Sequence, residues 1–445
     1  MFKRKIDSVL QEWKDNPNHK PLVIKGVRQC GKTSSVLAFA KSYYKNVVYV
    51  DFHQQEALRE VFSGSLDTDY LTVLLSASIP GSIFEPGKTC IVFDEILHCP
   101  RARASLKFFK LDGRYDVICT GSLLGVNGYK SDEQQKMEEG ATIPVGFETI
   151  IDMYPMDFEE WLWANDIQPA VFDLLRKLLD NESPVPAAIH NRMRELLLQY
   201  IVVGGMPEAV QTFFDTHDMN QVIAVQKAIV EEYKADMVKY ARSTDKVRIR
   251  ECFDSIPRQL SKDNKKFIYS MVRKGARSSE YIGCLQWIED AGIVRRCHNL
   301  LTPELPLSGN AMQDCFKIYM ADTGLFVSML DEGTQADILQ GNLYSYKGAI
   351  YENVLADILG KMGKKLYYFQ KPDSIEIDFV MRYKGECMPL ECKAKTGNAK
   401  SLKTLLKHPE KYHVYHALKV GDYNVGRNDQ TLTLPFYMAF MLNEV

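Results

Sequence analysis

Gly26-Val27-Arg28-Gln29-Cys30-Gly31-Lys32-Thr33 constrains the fold more than any other stretch of the chain. It is a G-x-x-x-x-G-K-T loop between an apolar run, Leu22-Val23-Ile24, and a helix-like stretch from Ser34 to Ala40. The glycines allow a backbone curl in which successive N–H groups point inward, and the following helix N-terminus adds partial positive charge. Strand, loop and helix in that order cradle phosphates. Lys32 can reach the β- and γ-phosphates of a nucleotide, and the Thr33 hydroxyl can ligate magnesium. The run from Gly26 through Ser34 is therefore expected to hold a nucleoside triphosphate.

Three more apolar runs follow, Val47–Asp51, Thr89–Glu95 and Tyr115–Ser122, separated by helix-like or polar segments. Runs of this kind mark strands of a parallel sheet buried on both faces. The second ends in Asp94-Glu95, which puts an acid able to hold magnesium, Asp94, beside one able to accept a proton from attacking water, Glu95. Glu95 as base and Lys32 as phosphate contact are the expected catalytic groups of this module. Thr120-Gly121-Ser122 closes the next strand. A hydroxyl there could orient the water, so Ser122 is counted with the nucleotide site; a turn capping a helix is the alternative.

A chain of 445 residues is too long for one ordinary core, so two to four domains are expected. The net charge of −2 means that any contact with nucleic acid has to come from a local patch. Ten cysteines without a C-x-x-C pair read as reduced thiols, as in the cytoplasm. The basic start, Met1–Asp7, lacks the apolar core of a signal peptide, and no apolar run approaches a membrane span. No membrane partner is expected.

The loop as G-x-R-Q-x-G-K-T, Asp94-Glu95-Ile96-Leu97 followed by Pro100, and Thr120-Gly121-Ser122 resemble prokaryotic ATPases of the AAA superfamily, family 14. Those proteins carry the domain of unknown function 4143 after the ATPase. Tyr154–Glu160, Val203–Ala209 and Ala321–Leu325 extend the resemblance over nearly the whole chain. It implies ATP with magnesium as the cofactors, a role in mobile-element defence or DNA maintenance, and leaves a homo-oligomer open. Many relatives have Gly-Arg where this chain has Gly146-Phe147, so an arginine role there is not carried over.

Between 156 and 242 the spacing of Leu174, Leu175, Leu178 and Leu179, and of Leu196, Leu197, Tyr200 and Ile201, predicts a helical lid. From 243 to 335, Phe253, Ile256, Leu260, Phe267 and Tyr269 suggest packed helices. A further helix from Ser278 then runs into a strand through Ala291-Gly292-Ile293-Val294, the rhythm of a winged helix. Arg258, Lys262, Lys265, Lys266, Arg273, Lys274 and Arg277 are opposed in that span only by Asp263. Such a cluster can neutralise phosphates, or can simply face solvent.

The tail alternates. Ile375–Met381 puts Glu376 and Asp378 on one face of a strand, Arg382–Glu386 reads as a turn, and Met388–Lys395 puts Glu391, Lys393 and Lys395 on one face of the next. Glu352 sits on the preceding helix-like stretch. An Asp on one strand and E-x-K on the next resemble the PD-(D/E)XK nuclease superfamily. That resemblance makes Asp378, Glu391 and Glu352 metal ligands and Lys393 a catalytic lysine. The fold class expected is α/β: a P-loop ATPase domain with a parallel sheet (1–155), a helical lid (156–242), a winged-helix-like segment (243–335) and an α/β nuclease-like domain (336–445). The function expected is ATP binding and hydrolysis, with a tail that acts on or binds nucleic acid through residues 258–277 and the last domain. The alternative is a nucleotide-dependent switch whose inactive tail docks on protein or DNA.

Overall fold

The computed structural model describes residues 2–122, 144–240, 245–262, 265–342, 346–371, 375–393 and 399–443. Lys395 and Asp263, singled out above, lie outside the described residues. The chain divides into two compact units. One comprises Met1–Pro155, Asp236–Lys246 and Asp290–Gly292; the other comprises Met156–Ala235, Val247–Glu289 and Ile293–Val445.

The first unit is built on β1 (Leu22–Gly26), β2 (Asn46–Asp51), β3 (Thr89–Asp94), β4 (Asp116–Ser122) and β5 (Thr149–Met153), in sheet order β2-β3-β4-β1-β5. Every pairing is parallel. The three central strands are buried along most of their length, which is why their sequences read as unbroken apolar runs. Helices α1 (Lys5–Asp15), α2 (Lys32–Tyr43), α3 (Thr68–Ser78) and α4 (Pro100–Asp112) cover the sheet. Val23, Phe52, Phe62, Phe93 and Phe109 interlock in one core beneath it. Parallel strands bring Gly26, Asp51, Asp94 and Ser122 to one edge, the carboxyl ends where α/β sheets bind ligands. The edge strand β5 has no counterpart in the sequence reading. Its five residues are mostly exposed, so no apolar run announces it.

The second unit carries helices Phe158–Ala164, Pro169–Asp180, Ala187–Val203, Pro207–Thr216, Lys246–Leu260 and Ser278–Asp290 beside a mixed sheet. The expected stripes of Leu175, Leu179, Leu196, Leu197, Tyr200 and Ile201 are buried, whereas Leu174 is exposed. Strands β6 (Val294–Leu300), β7 (Ala311–Met320), β8 (Leu366–Lys371), β9 (Ile375–Tyr383), β10 (Glu386–Lys393), β11 (Ala417–Gly421), β12 (Gly426–Asn428) and β13 (Thr431–Pro435) form it. Their order is β12-β13-β11-β10-β9-β8-β6-β7. β6 and β7 thus continue the sheet of the last hundred residues, β6 pairing parallel with β8. The hairpin β9–β10 turns through Lys384 and Gly385, both at positive φ (49° and 80°), the conformation of the two-residue turn that suits strand twist. All ten cysteines are free and buried. Among the described residues no helix is long and apolar enough to cross a membrane.

Candidate functional site

The phosphate loop begins where β1 ends because β5 leaves no room for a side chain. A Cβ on Gly26 would lie 2.3 Å from the Met153 carbonyl. Gln29 and Gly31 then take left-handed conformations (φ 63° and 96°), which turns neighbouring N–H groups into one concavity. Lys32 opens α2 and is buried, and its ammonium donates to the carbonyls of Gly26 (3.1 Å) and Val27 (2.9 Å). Arg28 pairs with Asp236 at 2.6 Å, and Cys30 packs under the loop with its thiol on the Met153 carbonyl.

Arg4 is a residue the sequence reading missed. Its guanidinium donates to the Cys30 carbonyl (3.0 Å) and the Tyr154 carbonyl (2.7 Å), tying the loop to the chain beyond β5. Nothing in the basic start sets Arg4 apart from Lys3 or Lys5, so only the fold reveals it. Arg4→Ala takes the donor away from two inward carbonyls, a loss of about 1–3 kcal/mol for a buried group left unpaired. The expected result is a lower melting temperature and a raised KM for ATP with kcat little changed; thermal melts and steady-state kinetics check it.

Four donors converge on Asp94. The Thr33 hydroxyl lies 3.0 Å from both carboxylate oxygens, the Tyr49 hydroxyl lies 2.8 Å from Oδ2, the Thr120 hydroxyl donates to Oδ1, and the Glu95 N–H reaches Oδ1 at 3.2 Å. Thr120 is therefore the hydroxyl of Thr-Gly-Ser that reaches Asp94. Ser122 sits at the end of β4, level in the sheet with Gly26. Tyr49 was hidden in the sequence by the apolar run around it. Thr33 and Asp94 offer hard oxygens at the mouth of the loop, donor chemistry that fits magnesium shared with nucleotide phosphates.

Glu95 follows at φ 49°, a backbone conformation that costs a non-glycine residue about 1–3 kcal/mol and clusters at functional sites. Burial pushes its carboxyl above the ordinary glutamate range, with Asp94 adding repulsion, while Lys32, Arg28 and His53 pull the other way. A carboxylate raised in this way is a better proton acceptor near neutral pH.

The second unit gathers a different constellation. Glu352 lies on the helix Lys347–Lys361, Asp378 on β9, and Glu391 and Lys393 on β10. Burial pushes the Asp378 carboxyl well above its usual range, and Glu352 and Glu391 add repulsion, so the three acids share one environment. Asp378 accepts from the Cys392 N–H at 2.8 Å. Glu391 pairs with Lys393 at 2.5 Å, and its Oε2 is buried without a hydrogen-bond partner. Glu352 pairs with Lys265 at 2.7 Å and accepts from the Tyr319 hydroxyl at 3.0 Å. Lys317, fully buried on β7, lies 4.0 Å from Glu352 and 3.0 Å from Glu376. Burial opposes charge on Glu352, but Lys317 and Lys265 outweigh it and hold that carboxyl below the usual range.

Lys317 and Tyr319 were missed in the sequence. The available signal was a lone lysine in an otherwise apolar strand, Cys315-Phe316-Lys317-Ile318-Tyr319-Met320. Oxygen donors such as these suit magnesium or manganese. Their arrangement does not: among the described residues no three His, Cys, Asp or Glu side chains converge to hold a metal ion. Each carboxylate is already engaged by a lysine or a backbone N–H. Of the basic span 258–277, Lys265 is committed to Glu352, Arg258 donates to the Met271 carbonyl, and Arg273 lies 3.8 Å from Glu251, while Lys274 and Arg277 are exposed.

A parallel sheet with a phosphate loop after β1 and an acidic pair after β3 defines a P-loop nucleotide-binding protein. Residues 18–162 match the AAA domain of family 14, and residues 347–437 match the domain of unknown function 4143, as the resemblance implied. Residues 194–336 match a further domain of unknown function, 8612. The chain thus carries an AAA domain followed by the domain of unknown function 4143. No curated protein matches the sequence. Among solved structures, a Walker-type ATPase of Pyrococcus abyssi is similar at 15% identity and a TM-score of 0.45, covering 74% of this chain and 96% of that one. AMPPCP-bound DnaA from Aquifex aeolicus is similar at 10% identity and a TM-score of 0.28, covering 64% and 87%.

Proposed function

We propose that the protein hydrolyses magnesium-bound ATP with Glu95 as general base and uses the cycle to govern a nuclease-like tail that binds nucleic acid. Thr33 and Asp94 are the residues that would hold the magnesium, which when bound would neutralise charge developing on the phosphates. Lys32 leaves the loop carbonyls to contact the transferred phosphoryl group, and Thr120 orients Asp94. Glu95 accepts the proton of the attacking water. The observation that carries this half of the reading is the convergence of Thr33, Tyr49 and Thr120 on Asp94 with Glu95 beside it.

For the tail, the electrostatic proximity of Glu352, Asp378, Glu391 and Lys393, with Glu352 and Glu391 buried, supports a nuclease-like domain, here taken as residues 336–445. The neighbouring span 243–335, read as winged-helix-like, adds exposed cations at Lys274 and Arg277 for phosphate contacts. Because Glu352 and Glu391 are paired with lysines and Asp378 accepts from the Cys392 N–H, binding without cleavage is the favoured activity of this arrangement. Metal-dependent cleavage is the second reading, favoured by the unpaired Glu391 Oε2. Labelled single- and double-stranded DNA and RNA incubated with magnesium or manganese separate them. Salt-sensitive binding without cleavage is expected; cleavage abolished by Asp378→Asn supports the second reading, and absence of binding removes both.

A further inference from the structure

We propose that Arg28 is a catalytic arginine supplied from within the phosphate loop, that it contacts the terminal phosphate of ATP, and that Asp236 holds it by an ion pair which this phosphate displaces. The inference rests on the reading that ATP is hydrolysed at Lys32, Asp94 and Glu95. In that reaction the water oxygen bonds to the γ-phosphorus while the bond to the β–γ bridging oxygen breaks. The water proton passes to Glu95, and ADP and inorganic phosphate are left. Negative charge develops on the transferred group and on the bridging oxygen. Lys32 and the loop N–H groups face part of that charge, and a guanidinium with its planar fork of donors suits the rest.

The arginines of the first unit differ in what they are committed to. Among the described residues, Arg4 donates to the Cys30 and Tyr154 carbonyls, Arg59 to the Phe52 carbonyl, and Arg101 to the Phe62 and Gly64 carbonyls. Arg103 pairs with Glu148, and Arg114 with Asp112 and Asp69. Each of these contacts ties one stretch of the fold to another. Arg28 instead stands inside the loop, between Gly26 and the left-handed Gln29, where the backbone curls to receive phosphate. Its charge is felt at Glu95, whose carboxyl it pulls downward together with Lys32, so the guanidinium lies within the field of the proposed base.

The partner that holds Arg28 comes from far along the chain. Asp236 lies 208 positions on, near the end of the helix Met219–Tyr240, and opens the segment Asp236–Lys246 that belongs to the first unit. The Arg28 Nη1 donates to the Asp236 Oδ1 at 2.6 Å, with side chains 33% and 17% exposed. An ion pair this open to water contributes little net stability. A terminal phosphate offers the same guanidinium more charge and a bidentate pair of oxygens. Exchange of the carboxylate for the phosphate is therefore favourable, and it brings the arginine to the oxygens where charge develops.

The test compares the full-length native, Arg28→Ala, Arg28→Lys and Asp236→Asn chains with magnesium present. It reads steady-state ATP hydrolysis and the calorimetric affinities for ADP and for the non-hydrolysable analogue AMPPCP. Arg28→Ala is expected to lower kcat by about 10²–10³-fold, the scale of one preorganised donor removed from developing charge. It should weaken AMPPCP binding by about tenfold and leave ADP binding unmoved, because ADP lacks the terminal phosphate. Arg28→Lys keeps the charge without the fork and should restore only part of kcat. Asp236→Asn removes the competitor and should tighten AMPPCP several-fold, again with ADP unmoved. Native kcat in Arg28→Ala overturns the catalytic role. Equal losses of ADP and AMPPCP affinity overturn it as well, since a contact that only shapes the loop affects both. Unchanged AMPPCP affinity in an Asp236→Asn chain with a native melting curve overturns the exchange. Should Arg28→Ala fail to fold, Arg28→Gln carries the same comparison. A native chain that binds ATP without hydrolysing it overturns the hydrolysis reading, while AMPPCP against ADP still decides whether Arg28 meets the terminal phosphate.

Discussion

Replacing Glu95 with Gln leaves ATP bound with an affinity close to that of the native chain and slows its hydrolysis by about 10²–10⁴-fold, the usual worth of a positioned general base. The substitution keeps the side chain's size and its place after Asp94, so the loop, Lys32 and the Thr33–Asp94 contact are untouched. What is lost is a carboxylate able to take the proton. The pH dependence separates this role from a structural one. Burial holds the Glu95 carboxyl above the ordinary glutamate range, so the active, deprotonated form predominates only above that raised value. Native hydrolysis should therefore fall on acidification at a higher pH than an exposed glutamate, near about 4.3, would dictate. The residual rate of Glu95→Gln should lack that acidic limb. Native-like turnover in the variant would remove Glu95 from the chemistry.

Removing Lys317 is the largest stability change we expect. Lys317→Ala takes a cation from full burial between Glu352 and Glu376 and leaves a void. Breaking a buried ion pair from one side costs about 3–5 kcal/mol, because the remaining charge stays in a low-dielectric site without its partner. Denaturant unfolding should show a correspondingly lower midpoint for the second unit. If the cost is electrostatic, adding Glu352→Gln to Lys317→Ala should cost less than the two single changes summed, since the stranded charge is then gone. Strict additivity would show that the lysine acts through packing alone.

Much of the first site was legible because the chemistry of phosphate binding demands a continuous motif. Gly26 through Thr33, Asp94-Glu95 and the strand carrying Thr120 all occur as contiguous signals, and the fold brings their ends to one edge. The partners that shape the site were not legible. Arg4, Tyr49 and Met153 act through contacts between segments far apart in sequence, and β5 is too short and exposed to announce itself. In the tail, period-two alternation did place Glu376 with Asp378 and Glu391 with Lys393, because a strand imposes that period. It could not reveal that β7 slides Lys317 beside Glu352, or that Lys265 is turned inward from a span read as a basic surface. Those contacts change the site from a set of waiting metal ligands to one filled by internal cations.

The central claim is that ATP turnover at Lys32, Asp94 and Glu95 is tied to nucleic acid held by the second unit. The direct measurement is the steady-state rate of ATP hydrolysis by the full-length chain, with and without saturating DNA or RNA, at fixed magnesium and salt. The account predicts a rate that changes several-fold on adding nucleic acid, and a change that disappears in Glu95→Gln. A rate that is the same with and without nucleic acid, under conditions where binding is demonstrated, would contradict it.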